Sequence, residues 1–599
     1  MSNWGVRWAV ATAGLLCLTP TVAARAAEQP PNKPACDWPM YGHDAGRTMT
    51  TGCASAPSKA SVAKLHLSWR FPTTDVVTAT PSVVGGVVYA GDWAGHFYAV
   101  DLATGKLNWS TVLGPGRTHG HADRHAGAYG TITSSAAVAT VDGRRTVFVG
   151  AGGSLYALDA SASSLPDSQR VLWRTDFDPG HPTSHGEVES SPVVWADAPG
   201  GPEVFVGSDA NQDSGYVGEG VWAVRAATGQ VLWHFNPETS DAAGYPAGSR
   251  PALYGCGNVW SSPALGVDPT NADPSRRGVL YFGTADCPDN SGTHCPSDHS
   301  DPGCTTGSYD YTKRWTRDSQ SILAVSAVTG SRLWSYQAYP EPTSNDDDYG
   351  ASAQLFTTAA GQRVVGEASK DGTYATLDRA TGSPVWRAAE TGNGNLQPGF
   401  ALGGFLGATA VAPVHGHPQV FGGSAIDTPI TYNASGKPTL QPTGTLLNNV
   451  KAMASFSGDG GQARWWAPML YTYGATSSGN GVVYIGSLDG LVRAFDASNG
   501  HLLWAFPLVA PISSGAAVVA HGLVIGDGTD ESDVEFKTCD QLPDPMLSAM
   551  CKRTPLNQTV NPLSYFGAIY AFSDQAGFRR VAANGAHASD MTYMSGLGA

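Results

Sequence analysis

The sequence is poor in charged residues and has no excess of basic ones. Asp, Glu, Lys and Arg make up 14% of its 599 residues, and the formal net charge is −15. A chain that binds nucleic acid is more often basic, so this balance favours an acidic surface and argues against a nucleic-acid partner. After the N-terminal region, no apolar stretch is long enough to predict a membrane-spanning helix.

Several short catalytic and cofactor-attachment motifs are also missing. The chain contains no phosphate-binding Gly-rich loop, no G-x-S-x-G and no H-E-x-x-H, and these absences argue against the enzyme classes that the motifs mark. It has no C-x-x-C-H either, so we expect no haem to be attached covalently to this chain.

The N-terminal segment has the pattern of a secretory signal peptide. Arg7 precedes an apolar run at 8–18 that is too short to cross a bilayer, and a small-residue cleavage site follows at 24–26. We therefore predict a signal peptide over residues 1–26 and a periplasmic or secreted protein.

The cysteines fit an oxidising compartment. Eight remain after the signal peptide is removed, and Cys36 with Cys53 and Cys539 with Cys551 are natural local disulfides. The other four favour two more disulfides over a metal cluster, because their irregular spacing includes no C-x-x-C pair: Cys256, Cys287, Cys295 and Cys304.

A repeated phrase dominates the rest of the chain, and it is most regular at 87–109, VVYAGDWAGHFYAVDLATGKLNW. Two apolar strands flank a tight turn, and a Gly is followed four residues later by a Trp. Alternation of apolar and polar residues between Gly, Asp and Ser predicts strands. The Gly and Trp recur at Gly105/Trp109, Gly229/Trp233, Gly330/Trp334, Gly382/Trp386, Gly461/Trp465 and Gly500/Trp504.

Eight such units, each of three strands and a fourth with Trp, predict an all-β, eight-bladed β-propeller. The eighth unit lacks its Trp, whereas Trp69 in LSWRF has no strands before it. We predict that this N-terminal strand completes the last blade and closes the ring. Each repeat Trp should pack between blades, with its N–H on a backbone acceptor. This gives an N-terminal arm at 27–66, a propeller at 67–583 and a C-terminal tail at 584–599.

The blade phrase resembles the tryptophan-docking repeat of the quinoprotein alcohol dehydrogenases, and the resemblance covers nearly the whole mature chain. Those enzymes are eight-bladed propellers that hold pyrroloquinoline quinone (PQQ) and usually Ca²⁺. By pattern, the chain is most similar to their polyvinyl-alcohol-dehydrogenase-like members. Non-catalytic propellers share the repeat, so the implied function depends on the site residues.

The middle blades carry the residues that the resemblance assigns to the cofactor. Trp260, in GNVWSSPAL, matches the Trp beneath the quinone, and Asp286, in Gly-Thr-Ala-Asp, matches a metal ligand. Lys370, in EASKDGTYATLD, matches a Lys that contacts the quinone, and Asp348 lies in the acidic phrase SNDDDYGASAQLF. A planar cofactor needs an aromatic face, and a hard cation needs oxygen ligands. The alternatives are a packing Trp, turn residues and a solvated acidic loop.

The resemblance also implies a catalytic base. Asp318, in TRDSQSILAVSAVTG, corresponds to the Asp that accepts the substrate's hydroxyl proton and borders the metal. Gln320 stands where close relatives have a second Asp, and a spacing of two would place both residues on one strand face. The missing second Asp favours Ca²⁺ over a lanthanide. The family's early-blade Glu ligand is absent, and Asp213, or Asn211, would replace it.

The function implied is a PQQ-dependent dehydrogenase that oxidises an alcohol, either a small molecule or a polymer, and passes electrons to a soluble cytochrome c or a similar acceptor. The alternatives are a non-catalytic propeller that binds protein partners and a quinoprotein acting on sugars. A His-rich loop could bind a metal, but the pattern favours a solvated loop: His119, His121 and His125.

Overall fold

The computed structural model divides the chain into two compact units, Met1–Ala35 and Cys36–Ala599. It describes residues 1, 36–114, 130–161, 165–166, 169–177, 187–209, 218–237, 257–285, 318–338, 347–391, 404–425, 453–469, 472–488, 490–528 and 567–575, and the backbone of the short strands at 304–305, 308–309, 430–432 and 438–440. The predicted signal peptide, the His-rich loop and the predicted Cys539–Cys551 disulfide lie outside these residues. So do the side chains of the four remaining cysteines.

The second unit is an eight-bladed β-propeller, which confirms the predicted fold. Each blade contains an antiparallel sheet of four strands in chain order, except where the ring closes. Blade 7 gains a fifth strand, Thr50–Thr51 of the N-terminal arm, which pairs parallel with Ser477–Gly479. In blades 1 to 4 the strands are Ser82–Val84, Val87–Gly91, His96–Asp101 and Leu107–Val112; Ala137–Val141, Arg144–Ala151, Ser154–Asp159 and Val171–Asp176; Val193–Trp195, Glu203–Ser208, Gly220–Arg225 and Val231–Phe235; and Ala264–Val267, Gly278–Gly283, Ser321–Ser326 and Arg332–Gln337.

The second half of the ring repeats this arrangement. In blades 5 to 7 the strands are Gln354–Thr357, Arg363–Ala368, Thr373–Asp378 and Pro384–Ala389; Ala410–Val414, His417–Gly423, Met453–Ser457 and Ala463–Ala467; and Ser477–Gly479, Val482–Gly486, Leu491–Asp496 and Leu502–Pro507. Short hairpins lie at Cys304–Thr305 with Ser308–Tyr309 and at Ile430–Tyr432 with Pro438–Leu440, and 3₁₀ turns lie at Val62–Lys64 and Pro274–Arg276. No helix among the described residues is long and apolar enough to cross a membrane.

Blade 8 contains both ends of the propeller. Its strands Ala517–Val519, Gly522–Asp527 and Ala568–Ser573 are joined by His66–Pro72, which pairs antiparallel with Ala568–Ser573. Trp69 lies opposite Ala571 in this register. The N-terminal strand therefore supplies the outer strand of the last blade, as predicted.

The repeat Trp residues connect neighbouring blades. The indole N–H of Trp69 donates to the Leu102 carbonyl at 2.8 Å, and the ring packs against Gly105, which has a φ of +67°. A Cβ on Gly105 would lie 2.6 Å from that ring, so the Gly of the phrase is needed for the close approach of the preceding blade. The same N–H contact to a carbonyl of the next blade recurs at Trp173, Trp233, Trp334, Trp386, Trp465 and Trp504.

The segments just before the first strands of blades 2 to 5 are connected by hydrogen bonds to Ser hydroxyls. The Ser135 amide donates to the Ser191 hydroxyl at 3.0 Å, and the Ser191 amide donates to the Ser262 hydroxyl at 2.9 Å. The Ser262 amide continues the series to the Ser352 hydroxyl at 2.9 Å. These contacts join blades 2 to 5 and fix the residues that immediately precede them, which include Trp260.

The N-terminal arm crosses the inner strands of the ring. Its carbonyls accept hydrogen bonds from amides of blades 1, 2 and 4 to 8: Val83, Val138, Leu265, Leu355, Val411, Ser478 and His521. Arg47 is completely buried and reaches blades 3 and 4, donating to the Ser191 carbonyl at 2.7 Å and the Pro263 carbonyl at 3.0 Å. The Cys36–Cys53 disulfide closes the arm, as predicted. The arm therefore fastens all eight blades at the axis.

Candidate functional site

Trp260 lies at the junction of blades 4 and 5, just before the first strand of blade 4. Its indole is half-buried, and its edge fits against Gly350 so closely that a Cβ there would lie 1.6 Å from Cη2. Glycine is thus the only residue type at position 350 that leaves room for the ring.

A single carboxylate oxygen joins Trp260 to Lys370. Asp348 Oδ2 accepts from the Trp260 indole N–H at 3.2 Å and from Lys370 Nζ at 3.0 Å. Both Asp348 and Lys370 are buried, and Lys370 Nζ lies 5.1 Å from the centroid of the Trp260 ring. The Lys370 amide also donates to the Asp348 carbonyl at 2.9 Å. The structure therefore brings together the three residues that the sequence assigned to the cofactor.

Asp318 is fully buried in the loop that leads to the third strand of blade 4. Its Oδ2 forms an ion pair with Arg332 at 2.5 Å, and its carbonyl accepts from the Thr284 hydroxyl at 2.6 Å. The Thr284 carbonyl accepts from the Tyr349 amide at 3.3 Å, so one residue links Asp318 to the segment containing Asp348.

One sequence-based expectation about this loop is wrong. Asp318 and Gln320 do not lie on one strand face, because the strand begins only at Ser321. Gln320 has a φ of +47°, a left-handed conformation that interrupts the alternation of a strand. Its amide donates to the Ala285 carbonyl at 2.9 Å, which fixes the turn.

The predicted metal ligands are only partly described. Asp213, the alternative Asn211, and Asp286 lie outside the described residues, whereas Asp318 lies within them. Among the described residues, no group of three His, Cys, Asp or Glu side chains has an arrangement that could hold a metal ion. The ligand set therefore remains a prediction.

An acidic group on blade 3 was missed by the sequence analysis. Glu187 and Asp209 exchange two backbone hydrogen bonds of 2.9 Å each. Burial, together with the carboxylates of Asp209 and Glu187, raises the pKa of Glu189 well above its usual range, and the Lys370 charge acts in the opposite direction. Blades 3 and 5 therefore direct ionisable side chains to a common region. The E-V-E triplet before the Ser-Ser-Pro of this blade was the available signal.

Arg332 was also missed. It lies two residues before Trp334 on the outer strand, a position at which the sequence gives no sign of a contact with Asp318. The sequence gives no sign of a role for Thr284 either. Its hydroxyl accepts from the Ser321 amide at 3.0 Å and so supports the turn that carries Asp318.

Comparison with known proteins places the chain among quinoprotein sequences. Residues 38–393 match the family described as PQQ: Glucose/ethanol/alcohol dehydrogenase, beta-propeller domain. The chain is 24% identical over 476 residues to the polyvinylalcohol dehydrogenase of Sphingopyxis sp. (strain 113P3), covering 74% of this chain and 63% of that one.

A second relative gives similar figures. The lupanine 17-hydroxylase [cytochrome c] of Pseudomonas sp. is 26% identical over 504 residues, covering 75% of this chain and 66% of that one. The chain thus spans slightly under two thirds of the length of these two relatives. Among solved structures, a europium-containing methanol dehydrogenase shares the fold with a TM-score of 0.60 at 18% identity, covering 90% of this chain and 98% of that one.

Proposed function

The chain belongs to the PQQ-dependent glucose/ethanol/alcohol dehydrogenase β-propeller family, and on this premise we propose that it is a PQQ-dependent dehydrogenase that oxidises an alcohol to a carbonyl compound. The observation that carries the proposal is the contact of Trp260, Asp348 and Lys370 through one carboxylate oxygen. An aromatic face and a fixed ammonium group at one point suit a planar, anionic cofactor.

The residues fit the reactive part of PQQ. The half-buried Trp260 indole offers an aromatic surface, and Lys370 stands over that ring, where it can meet the oxygens of a bound quinone. Asp348 holds both groups and limits their freedom before any ligand arrives. When bound, PQQ supplies the two-electron acceptor that no side chain can provide.

A metal ion completes the proposed site, and Ca²⁺ is favoured over a lanthanide. Asp213, Asp286 and Asp318 would supply hard oxygen ligands, and the cation would provide Lewis-acid chemistry. A cation held by these carboxylates would also offset their repulsion of an anionic cofactor. The methanol dehydrogenase that shares the fold contains europium, which makes a lanthanide the alternative to test.

Asp318 is the proposed general base. Its burial removes competition from bulk water, and Arg332 supplies the opposite charge that a buried carboxylate needs. The Thr284 hydroxyl fixes the Asp318 main chain, so the carboxylate has a defined position from which to accept the proton of a substrate hydroxyl.

We further propose a cellular location, an electron acceptor and a range of substrates for the enzyme. A periplasmic or secreted enzyme without its own haem motif would pass electrons to a soluble cytochrome c or a similar acceptor. The relative named lupanine 17-hydroxylase [cytochrome c] is consistent with this partner. The polyvinylalcohol dehydrogenase relative supports including polymeric alcohols among the substrates tested.

The test is reconstitution of the apoprotein with PQQ and Ca²⁺, followed by a dye-coupled assay on primary, secondary and polymeric alcohols and on sugars. We expect turnover of at least one alcohol. The Asp318→Asn variant should retain PQQ but lose activity by about two orders of magnitude or more. Asp371→Asn is the matched control, because Asp371 forms a similar buried ion pair with Arg387 at 2.5 Å. Sugar oxidation alone, or no turnover with Ca²⁺ or a lanthanide, would overturn the proposal.

A further inference from the structure

The repeats allow one position to be compared across all eight blades. In every blade, the Trp of the outer strand lies opposite a residue of the third strand. The third-strand residue just before that one lies opposite a residue of the second strand, and this second-strand position is equivalent in all eight blades. These equivalent residues are Ala90, Val149, Val206, Phe282, Glu367, Gly422, Ile485 and Ile525. All are buried, and Glu367 of blade 5 is the one polar residue among them. The fold itself therefore does not require a carboxyl group here.

The surroundings of Glu367 are energetically unfavourable for a carboxyl group. It is completely buried, and neither carboxyl oxygen has a hydrogen-bond partner among the described residues. Burial raises the pKa of Glu367 well above its usual range, while the Gly283 amide faces the carboxyl and partly opposes the rise without reaching hydrogen-bond geometry. Such a group in a natural protein calls for an explanation, and functional sites are where it is most often found.

The carboxyl lies where two segments of the candidate site meet. A Cβ on Gly283 would lie 2.4 Å from Glu367 Oε1 and 2.0 Å from the Tyr349 carbonyl oxygen, so both groups border the same point. Gly283 leads into Thr284, which fixes the main chain of Asp318. Tyr349 stands between Asp348 and the glycine beneath Trp260. Glu367 thus touches the supports of both the proposed base and the proposed cofactor surface.

We propose that Glu367 is a positioning residue for the bound cofactor, a role that rests on the proposed function. When protonated, its O–H can act as a donor toward the Tyr349 carbonyl, and its other oxygen as an acceptor beside Gly283, although neither bond is formed in this structure. The apolar residues of the other blades can occupy this position but offer neither a donor nor an acceptor. Glu367 sets the separation of the Gly283–Thr284 and Tyr349–Gly350 segments, and hence the placement of Trp260 and Asp318.

The test compares Glu367→Val, the residue type of blades 2 and 3, with Glu367→Gln, which keeps a donor and an acceptor. Ile485→Val is the control at the equivalent position of blade 7. Three quantities are measured for each protein: the apoprotein Tm at neutral pH, the Kd for PQQ with Ca²⁺ from Trp fluorescence, and kcat/KM with the best alcohol.

We expect Glu367→Val to raise the apoprotein Tm by a few degrees, since it removes an unpaired buried acid, and to weaken PQQ binding and kcat/KM by about 10- to 100-fold. Glu367→Gln should recover most of that loss. A Val variant that binds and turns over like the wild type would overturn the inference, and so would a Gln variant as impaired as Val. If the wild type bound no PQQ, the proposed function itself would fail.

Discussion

Lys370 Nζ lies 3.0 Å from Asp348 Oδ2, and both side chains are buried beside the Trp260 ring. An ion pair withdrawn from water is costly to break, because the partner left behind keeps its charge without compensation. Here the shared oxygen also accepts from the Trp260 indole at 3.2 Å. The pair therefore contributes to stability and to the shape of the candidate site together.

Asp348→Asn tests this coupling. The substitution removes the carboxylate that is paired with the buried Lys370, so we expect the free energy of unfolding to fall by about 3–5 kcal/mol in urea denaturation. Lys59→Met is the control, because Lys59 pairs with Asp496 at 2.5 Å on the surface with its side chain 43% exposed. A surface pair of this kind should cost no more than about 1 kcal/mol. Equal losses for the two variants would contradict the assigned role.

Gly350→Ala tests the position of the Trp260 ring. An added Cβ would lie 1.6 Å from Trp260 Cη2, so the indole must shift. We expect a loss of about 1–3 kcal/mol of stability and a change in the Trp emission spectrum. Gly52→Ala has no atom within 4 Å of the added Cβ and should leave both quantities unchanged. An unaltered spectrum in the Gly350 variant would show that the ring does not occupy this position.

Arg47→Met tests the attachment of the N-terminal arm. Burial lowers the pKa of Arg47 to about 10, so the guanidinium remains charged at neutral pH while it bonds to carbonyls of blades 3 and 4. Removing the guanidinium leaves the Ser191 and Pro263 carbonyls without their donor, so we expect the free energy of unfolding to fall by about 3 kcal/mol or more. Faster proteolytic cleavage before residue 66 should accompany it. Arg464→Met, at an exposed position, should change neither property. Cleavage of the arm at the wild-type rate in the Arg47 variant would contradict the role of Arg47 in attaching the arm.

Asp527 gives the ring closure a defined pH dependence. Burial raises the pKa of Asp527 to about 7, although Arg70 and the Tyr570 hydroxyl oppose the rise. In the unfolded chain an Asp carboxyl has a pKa of about 3.9, so the folded state keeps the Asp527 proton to higher pH than the unfolded state does. Stability contributed by the protonated form is present below about pH 4 and is lost as the pH rises to about 7, a change of about 4 kcal/mol.

Asp527→Asn mimics the protonated form and should remove this loss. We expect its Tm to exceed that of the wild type by a margin that grows between about pH 4 and pH 7 and then stays level. Asp273→Asn is a control of opposite sign, because a hydrogen bond from the Ser275 hydroxyl lowers the pKa of Asp273. A margin for Asp527→Asn that is independent of pH would contradict the assignment.

The propeller could be predicted from the sequence because its signals are local and repeated. The Gly of each phrase packs against the Trp of the preceding blade in the same way, so one unit describes the others. The closing strand was visible because Trp69 was left over while the last unit lacked a Trp. The Cys36–Cys53 disulfide required only proximity along the chain.

The candidate site was less accessible to such reasoning. Trp260 and Lys370 could be named by resemblance, but their connection through Asp348 joins positions up to 110 residues apart and depends on the packing of two blades. Arg332 and Glu367 have no local pattern that marks them, and the E-V-E triplet containing Glu189 does not show that it faces Lys370. The buried role of Glu367 becomes visible only when the strand register aligns the eight blades. The path of the arm across the axis likewise has no signal in its composition.

Equilibrium titration of the apoprotein with PQQ in the presence of Ca²⁺ tests the central claim, that Trp260 and Lys370 form a quinone site. Quinone absorbance and quenching of Trp emission report binding directly, without any assumption about the substrate. We predict saturable binding of one PQQ per chain, with affinity at least about tenfold weaker in Lys370→Met, since a buried charge-assisted contact is lost. No saturable binding with either Ca²⁺ or a lanthanide, or equal affinity in the Lys370 variant, would contradict it.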